Sequence, residues 1–192
     1  MLKEIEAYQR TFMELLNSVQ VTTEDGRNMD YGDGVAAVCN LIRQQSAAGW
    51  KLIFIGNGGS AAIASHMALD FWKNGGMKAI SFNDGVTLTC LGNDYGYAHV
   101  FEKPVEMFAE PGDVLIAISS SGKSENILLG VAAAMAKGCR VVTLSGFGAD
   151  NPLRTRGKYN FYVASGKYGP VEVIHQYLIH CILDLLMATS RS

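Results

Sequence analysis

The stretch Lys51–Lys73, KLIFIGNGGSAAIASHMALDFWK, decides how the rest of the chain is read. Lys51 to Gly56 is a short apolar run of β-branched and aromatic residues, as expected of a strand buried on both faces. Gly56-Asn57-Gly58-Gly59-Ser60 interrupts it, and from Ser60 to Lys73 apolar residues return at helical spacing. The same texture recurs downstream. Lys78 to Phe82 and Asp113 to Ile118 (DVLIAI) read as strands, Ser124 to Ala136 as a helix, Arg140 to Leu144 and Tyr159 to Val163 as strands, and Pro170 to Met187 as a closing helix. Pro170 suits a first helical turn, where its missing N–H is not needed. Strands alternating with helices predict an α/β fold with a parallel sheet covered on both faces. Functional residues are then expected in loops at the carboxyl ends of strands.

Upstream, residues 1–48 read as two helices. Leu2, Ile5, Tyr8, Phe12, Leu15, Leu16 and Val19 form one stripe, and Val35, Val38, Leu41 and Ile42 a second. A polar break at Thr22 to Asp30 separates them. The 192 residues hold 16 Lys+Arg against 18 Asp+Glu, a net charge of −2 with no run of like charge, so a basic nucleic-acid footprint is absent. Cys39, Cys90, Cys139 and Cys181 lie too far apart for a zinc ribbon or a Cys-x-x-Cys pair and read as separate thiols in a reducing cytoplasm. Charges interrupt the apolar residues of the N-terminus, and no later stretch reads as the ~18 apolar residues of a span, so neither a signal peptide nor membrane association is expected. Gly, at 21 of 192 residues, exceeds the usual ~7%.

Two loops stand out. The glycines of Gly56–Ser60 let backbone approach a ligand, and the following helix offers free N–H groups to an anion. Gly56-x-Gly58-x-x-Ala61, with Asp84 beyond the next strand, also satisfies a loose dinucleotide fingerprint, and a tight turn without ligand fits as well. The second loop, Ser119-Ser120-Ser121-Gly122-Lys123-Ser124, gathers four hydroxyls at a helix start, which suits the oxygens of a phosphate monoester. Turn chemistry and helix capping account for only some of those serines. Between the loops, Asn93 and Asp94 suit either sugar hydroxyls or an Asx turn.

His66 and Asp70 are i,i+4 on the helix after the first loop and face the same way, an arrangement that offers two metal ligands or a base with its partner. Glu172 and His180 lie about two turns apart on the last helix. Two His and two carboxylates match a Zn²⁺ in charge, although each pair taken singly also fits a surface ion pair. His99 and His175 are read as structural or surface residues.

Taken in order, these residues resemble the sugar isomerase (SIS) domain family and, within it, the phosphoheptose isomerase group. The likeness rests on Gly-Asn-Gly-Gly-Ser at 56–60, His66, Gly-Asn-Asp-Tyr-Gly at 92–96, Pro-Gly-Asp-Val-Leu-Ile at 111–116, Ile-Ser-Ser-Ser-Gly-Lys-Ser at 118–124, and His175 and His180. The resemblance implies a three-layer αβα sandwich with a five-stranded parallel sheet, preceded by two N-terminal helices. Residues 1–48 would be an oligomerisation segment and 49–192 the catalytic domain, in a homotetramer with active sites between subunits. It implies substrate contacts at Asn57, Gly58, Gly59, Ser60, Asn93, Asp94, Ser119, Ser120, Ser121, Ser124 and Glu172, with the serine loop taking the phosphate. Zn²⁺ ligands would be His66, Asp70, Glu172 and His180, and the catalytic set Asp70, Glu172 and His180. The implied activity is aldose–ketose isomerisation of a phosphorylated sugar, with sedoheptulose 7-phosphate as first choice of substrate. A non-catalytic member, either a phosphosugar-sensing regulator or an initiator-associating scaffold, is the alternative. Two positions depart from the family pattern: residue 70 is Glu there and residue 172 is Gln, whereas this chain has Asp70 and Glu172. The carboxylate is shortened on one helix and added on the other, so Glu172 is expected to share or take over proton abstraction while Asp70 remains a ligand.

Overall fold

The structure is a computed structural model that describes residues 1–189. In chain order, α1 (Leu2–Asn17), β1 (Gln20–Thr23), β2 (Asn28–Met29) and α2 (Tyr31–Ala47) precede β3 (Leu52–Gly56) and α3 (Gly59–Lys73). They are followed by β4 (Ala79–Ser81), α4 (Gly85–Asp94), α5 (Glu102–Phe108), β5 (Val114–Ser119), α6 (Glu125–Ala136), β6 (Arg140–Ser145), β7 (Tyr159–Tyr162) and α7 (Tyr168–Thr189). Every residue of β3 and β5 is buried, because both strands have helices on either side. Side chains alternate between the two faces, as the two-residue strand period requires. Leu52, Phe54, Val114, Ile116 and Ile118 pack with residues of α2, α3 and α7, while Ile53, Ile55, Leu115 and Ala117 pack with α5 and α6.

The sheet order is β2-β1-β7-β6-β5-β3-β4. The five strands from β7 to β4 are parallel, as expected. The full sheet is larger than the five strands implied by the resemblance: the stretch Thr22 to Asp30 is no simple break but forms β1 and β2, an antiparallel hairpin that pairs with the edge strand β7. Val21 and Thr22 are buried in β1, and Gly26, at φ 79°, makes the turn a side chain would strain. A second difference concerns residues 92–96, expected as a loop. Asp84 caps α4 by accepting from the N–H groups of Val86 and Thr87, both at 3.0 Å, and the helix runs through Asn93 and Asp94. Gly96, at φ 86°, follows its end.

Helix α7 is the one described helix long and apolar enough to cross a membrane by length and composition. Its place explains its apolarity: Val171, Ile174, Leu178, Ile179 and Ile182 lie buried in the core that covers one face of the sheet. The ring of His175 is buried with them, its Nε2–H donating to the Ser145 carbonyl at 3.2 Å. Helix α1 contrasts with α7. It has no buried residue, and although Phe12, Leu15 and Leu16 rest against the core, Leu2, Ile5, Tyr8 and Met13 are exposed. The four cysteines are free thiols, as expected.

Burial pushes the His175 pKa down to about 4, only partly opposed by the Ser145 carbonyl. The unfolded chain protonates this ring near pH 6.5, so its contribution to stability is full above about 6.5 and is lost as the pH falls toward 4. Urea unfolding should therefore show a loss of about 3 kcal/mol across that window. The His175→Gln variant should show a shallower pH slope, whereas equal slopes would remove His175 as the cause.

Candidate active site

Between β3 and β5 the chain changes direction across the sheet, since β3 is followed by β4 on one side and paired with β5 on the other. Such a switch point opens a crevice at the carboxyl ends of the strands. Gly56 pairs with Ile118 there, so the Gly56–Ser60 and Ser119–Ser124 loops leave the sheet side by side. The first turn is tight. A Cβ on Gly56 would lie 2.4 Å from the Ser60 carbonyl oxygen. Gly58 precedes α3 at φ 53° and offers that helix no side-chain cap.

The crevice holds a cavity of about 270 Å³ lined by Asn57, Gly58, Gly59, Ser60, Ile118, Ser119, Ser120, Ser121, Ser124, Tyr168 and Glu172. The four serines of the second loop divide by chemistry. Ser119 Oγ accepts from the Gly122 N–H and Ser121 Oγ from the Lys123 N–H, each at 3.2 Å, as ordinary turns do. Ser124 is the N-cap residue of α6, yet its hydroxyl makes no capping bond. The Ser120 hydroxyl is buried without any hydrogen-bond partner among the described residues. A buried hydroxyl left unpaired destabilises the protein unless something else satisfies it. Lys123 is exposed, so hydroxyls and N–H groups rather than a fixed cation form this wall. Beneath it, Asn151 donates to the carbonyls of Gly146 and Gly148 and accepts from the Arg154 N–H. Gly122 lies against it so closely that a Cβ there would stand 2.0 Å from Asn151 Oδ1.

The opposite wall comes from α3 and α7. Glu172 extends its carboxylate over Gly59, where a Cβ would lie 2.6 Å from both oxygens, so glycine is what admits it. This carboxylate stands at the start of α3, where the helix dipole favours negative charge. Farther along the same two helices, His66 Nε2 lies 3.4 Å from an Asp70 oxygen, and the His66 and His180 rings are 5.4 Å apart. Ligand atoms of His66, Asp70 and His180 all lie within 4.8 Å of one another. Two imidazoles and a carboxylate make the donor set of a catalytic zinc site with an open position. The structure brings these three together. Glu172 stands apart from them and lines the cavity instead.

Asn93 and Asp94 are not brought to the cavity. They are exposed at the end of α4, where Asn93 donates to Asp94 at 2.8 Å. Asp84 is engaged in capping α4, and the Thr87 N–H leads in holding its carboxyl below the usual range, so it does not stand free for a ribose. His99 is paired with Glu102. Sequence reasoning missed Tyr168, whose ring packs edge-on against Phe147 at 4.8 Å. It also missed Asn151 and Asn126, whose roles depend on partners distant in sequence. Tyr168 alone had a visible signal, an aromatic residue just before the Gly169-Pro170 start of the last helix.

These loops and this sheet define a phosphosugar-binding fold, and the chain belongs to the SIS domain family, whose model matches residues 7–146. Within it, the chain is 32% identical to a phosphoheptose isomerase of Geobacter sp. (strain M21), over 97% of this chain and 95% of that one. It is 37% identical to a phosphoheptose isomerase of Solidesulfovibrio magneticus, over 82% of this chain and 79% of the relative. The solved phosphoheptose isomerase GmhA of Neisseria gonorrhoeae superposes with a TM-score of 0.83 at 28% identity, covering 97% of this chain and 99% of that one. A phosphoheptose isomerase from Francisella tularensis gives a TM-score of 0.82 at 26% identity, with 97% of each chain covered.

The unpaired Ser120 hydroxyl gives a test in which stability and binding move in opposite directions. Ser120→Ala should leave thermal stability unchanged or raise it slightly, while weakening the binding of a phosphate monoester by about tenfold, the effect of one hydrogen bond to a charged group. Calorimetry on the two proteins reads both quantities.

Proposed function

We propose that the chain is an aldose–ketose isomerase that converts sedoheptulose 7-phosphate to D-glycero-D-manno-heptose 7-phosphate through an enediol. The observation that carries this reading is the cavity itself: the unpaired Ser120 hydroxyl and the uncapped start of α6 form one wall, and the Glu172 carboxylate forms the other. Similarity to phosphoheptose isomerases over nearly the whole chain supports the choice of substrate.

In this reading the serine loop and the N–H groups at the start of α6 hold the phosphate, which aims the open-chain sugar toward α3 and α7. Glu172 removes the proton from the carbon beside the carbonyl. His180 moves the proton on oxygen, and the enediol is reprotonated at the neighbouring carbon. The proton that leaves one carbon is balanced by the one that arrives at the next, and no redox partner is required. Asp70 serves as a ligand rather than as the base, a division supported by its place beside His66 and His180 while Glu172 lines the cavity. His66, Asp70 and His180 would hold Zn²⁺, with Glu172 as a further ligand implied by the resemblance. When bound, the ion supplies Lewis-acid polarisation of the carbonyl.

Residues 1–48 are proposed as the assembly element of a homotetramer with active sites between subunits, and 49–192 as the catalytic unit. The exposed apolar residues Leu2, Ile5, Tyr8 and Met13 on α1 support that role.

NMR of the purified protein mixed with sedoheptulose 7-phosphate should show heptose 7-phosphate forming. Absence of turnover with and without added Zn²⁺ would remove the substrate assignment. Of the two carboxylate variants, Glu172→Gln should lower kcat by about a hundredfold or more. Asp70→Asn should chiefly lower zinc content, read by elemental analysis. Full activity in Glu172→Gln combined with complete loss in Asp70→Asn would instead make Asp70 the base.

A further inference from the structure

One buried polar side chain beside the cavity takes no part in the mechanism above. Asn126, in the first turn of α6, is 3% exposed and faces Asn57 of the other ligand loop. Their amides pair reciprocally: Asn57 Nδ2 donates to Asn126 Oδ1 at 2.8 Å, and Asn126 Nδ2 donates to Asn57 Oδ1 at 2.9 Å. A reciprocal pair alone has no polarity, because both amides can flip together. Here a backbone group breaks the symmetry. The Ile127 N–H donates to Asn126 Oδ1 at 3.0 Å, so the oxygen of Asn126 must occupy that position.

The orientation of Asn57 follows from it. Its Oδ1 accepts from Asn126 and from the Tyr97 hydroxyl at 3.1 Å, which fills both lone pairs. One of its two Nδ2 hydrogens is held by Asn126, leaving a single N–H as all that this side chain can offer the cavity it lines. We propose that Asn126 is a positioning residue that fixes Asn57 as a hydrogen-bond donor toward the ligand, so that the ligand atom seated against Asn57 is an acceptor oxygen. The same pair ties the two ligand loops to each other. This inference rests on the sugar-phosphate reading of the cavity only for the identity of that oxygen, which would belong to a carbonyl or hydroxyl of the sugar.

Two measurements on the full-length protein test it. The first needs no turnover: hydrogen exchange of the Asn57 side-chain amide, assigned by its loss in Asn57→Ser. In the wild type the two Nδ2 protons should exchange at rates differing by about tenfold or more, as one bonded and one exposed proton do. In Asn126→Leu, which keeps the branched shape and removes the pairing, the two rates should converge. Equal rates in the wild type, or unchanged rates in the variant, would overturn the proposal whether or not the protein isomerises heptose phosphate. The second uses the same uncharged Asn126→Leu, which withdraws the donor to Asn57 without adding a charge at the start of α6, where the proposed function seats the phosphate. It should lower kcat/KM for the sugar phosphate by about tenfold to a hundredfold, with inorganic phosphate affinity within about twofold of wild type. A parallel loss of both would mark a general loosening of the fold and overturn the positioning role, as would wild-type kcat/KM.

Discussion

The parallel pairing of β3 with β5, in register from Leu52 with Val114 to Gly56 with Ile118, is the constraint on which the rest depends. Both strands are buried along their whole length, so neither can slip by one residue without exchanging the side chains that face the two cores. That register brings the two loops to the same level at the rim of the sheet. The starts of α3 and α6 then stand on either side of one crevice.

The anion-facing wall of that crevice carries no basic side chain. Among the described residues no Lys or Arg lines the cavity, and Lys123 beside it is exposed, so partial charges from backbone N–H groups and hydroxyls form the wall opposite Glu172. Hydroxyls and amides gain from close contact and offer little to a distant anion. Such a site discriminates by shape and hydrogen-bond direction more than by charge, which fits a nearly balanced net charge of −2.

Much of this was legible in the sequence because the signals were local. The runs KLIFIG and DVLIAI could hardly be anything but buried strands, and the glycine and serine loops follow them directly. The hairpin of β1 and β2 was missed because its strands are short and polar, and its pairing partner β7 lies more than a hundred residues away. The helical setting of Asn93 and Asp94 was not legible from their own residues, because Asp84 starts a helix that places them on its exposed end, outside the cavity lining. The grouping of His66 and Asp70 followed from i,i+4 spacing, whereas the separation of Glu172 from them depends on how α7 lies along α3. No spacing rule within one helix contains that relation.

Glu172 above Gly59 also gives the crevice a direction. One helix start already has a carboxylate belonging to the protein, while the other keeps an uncapped end and an unpaired hydroxyl. A ligand with a single anionic end is therefore attracted at one side and repelled at the other. The seat is a one-way socket, and the sense in which a chain of carbons is threaded through it is set before any hydroxyl group along that chain is recognised.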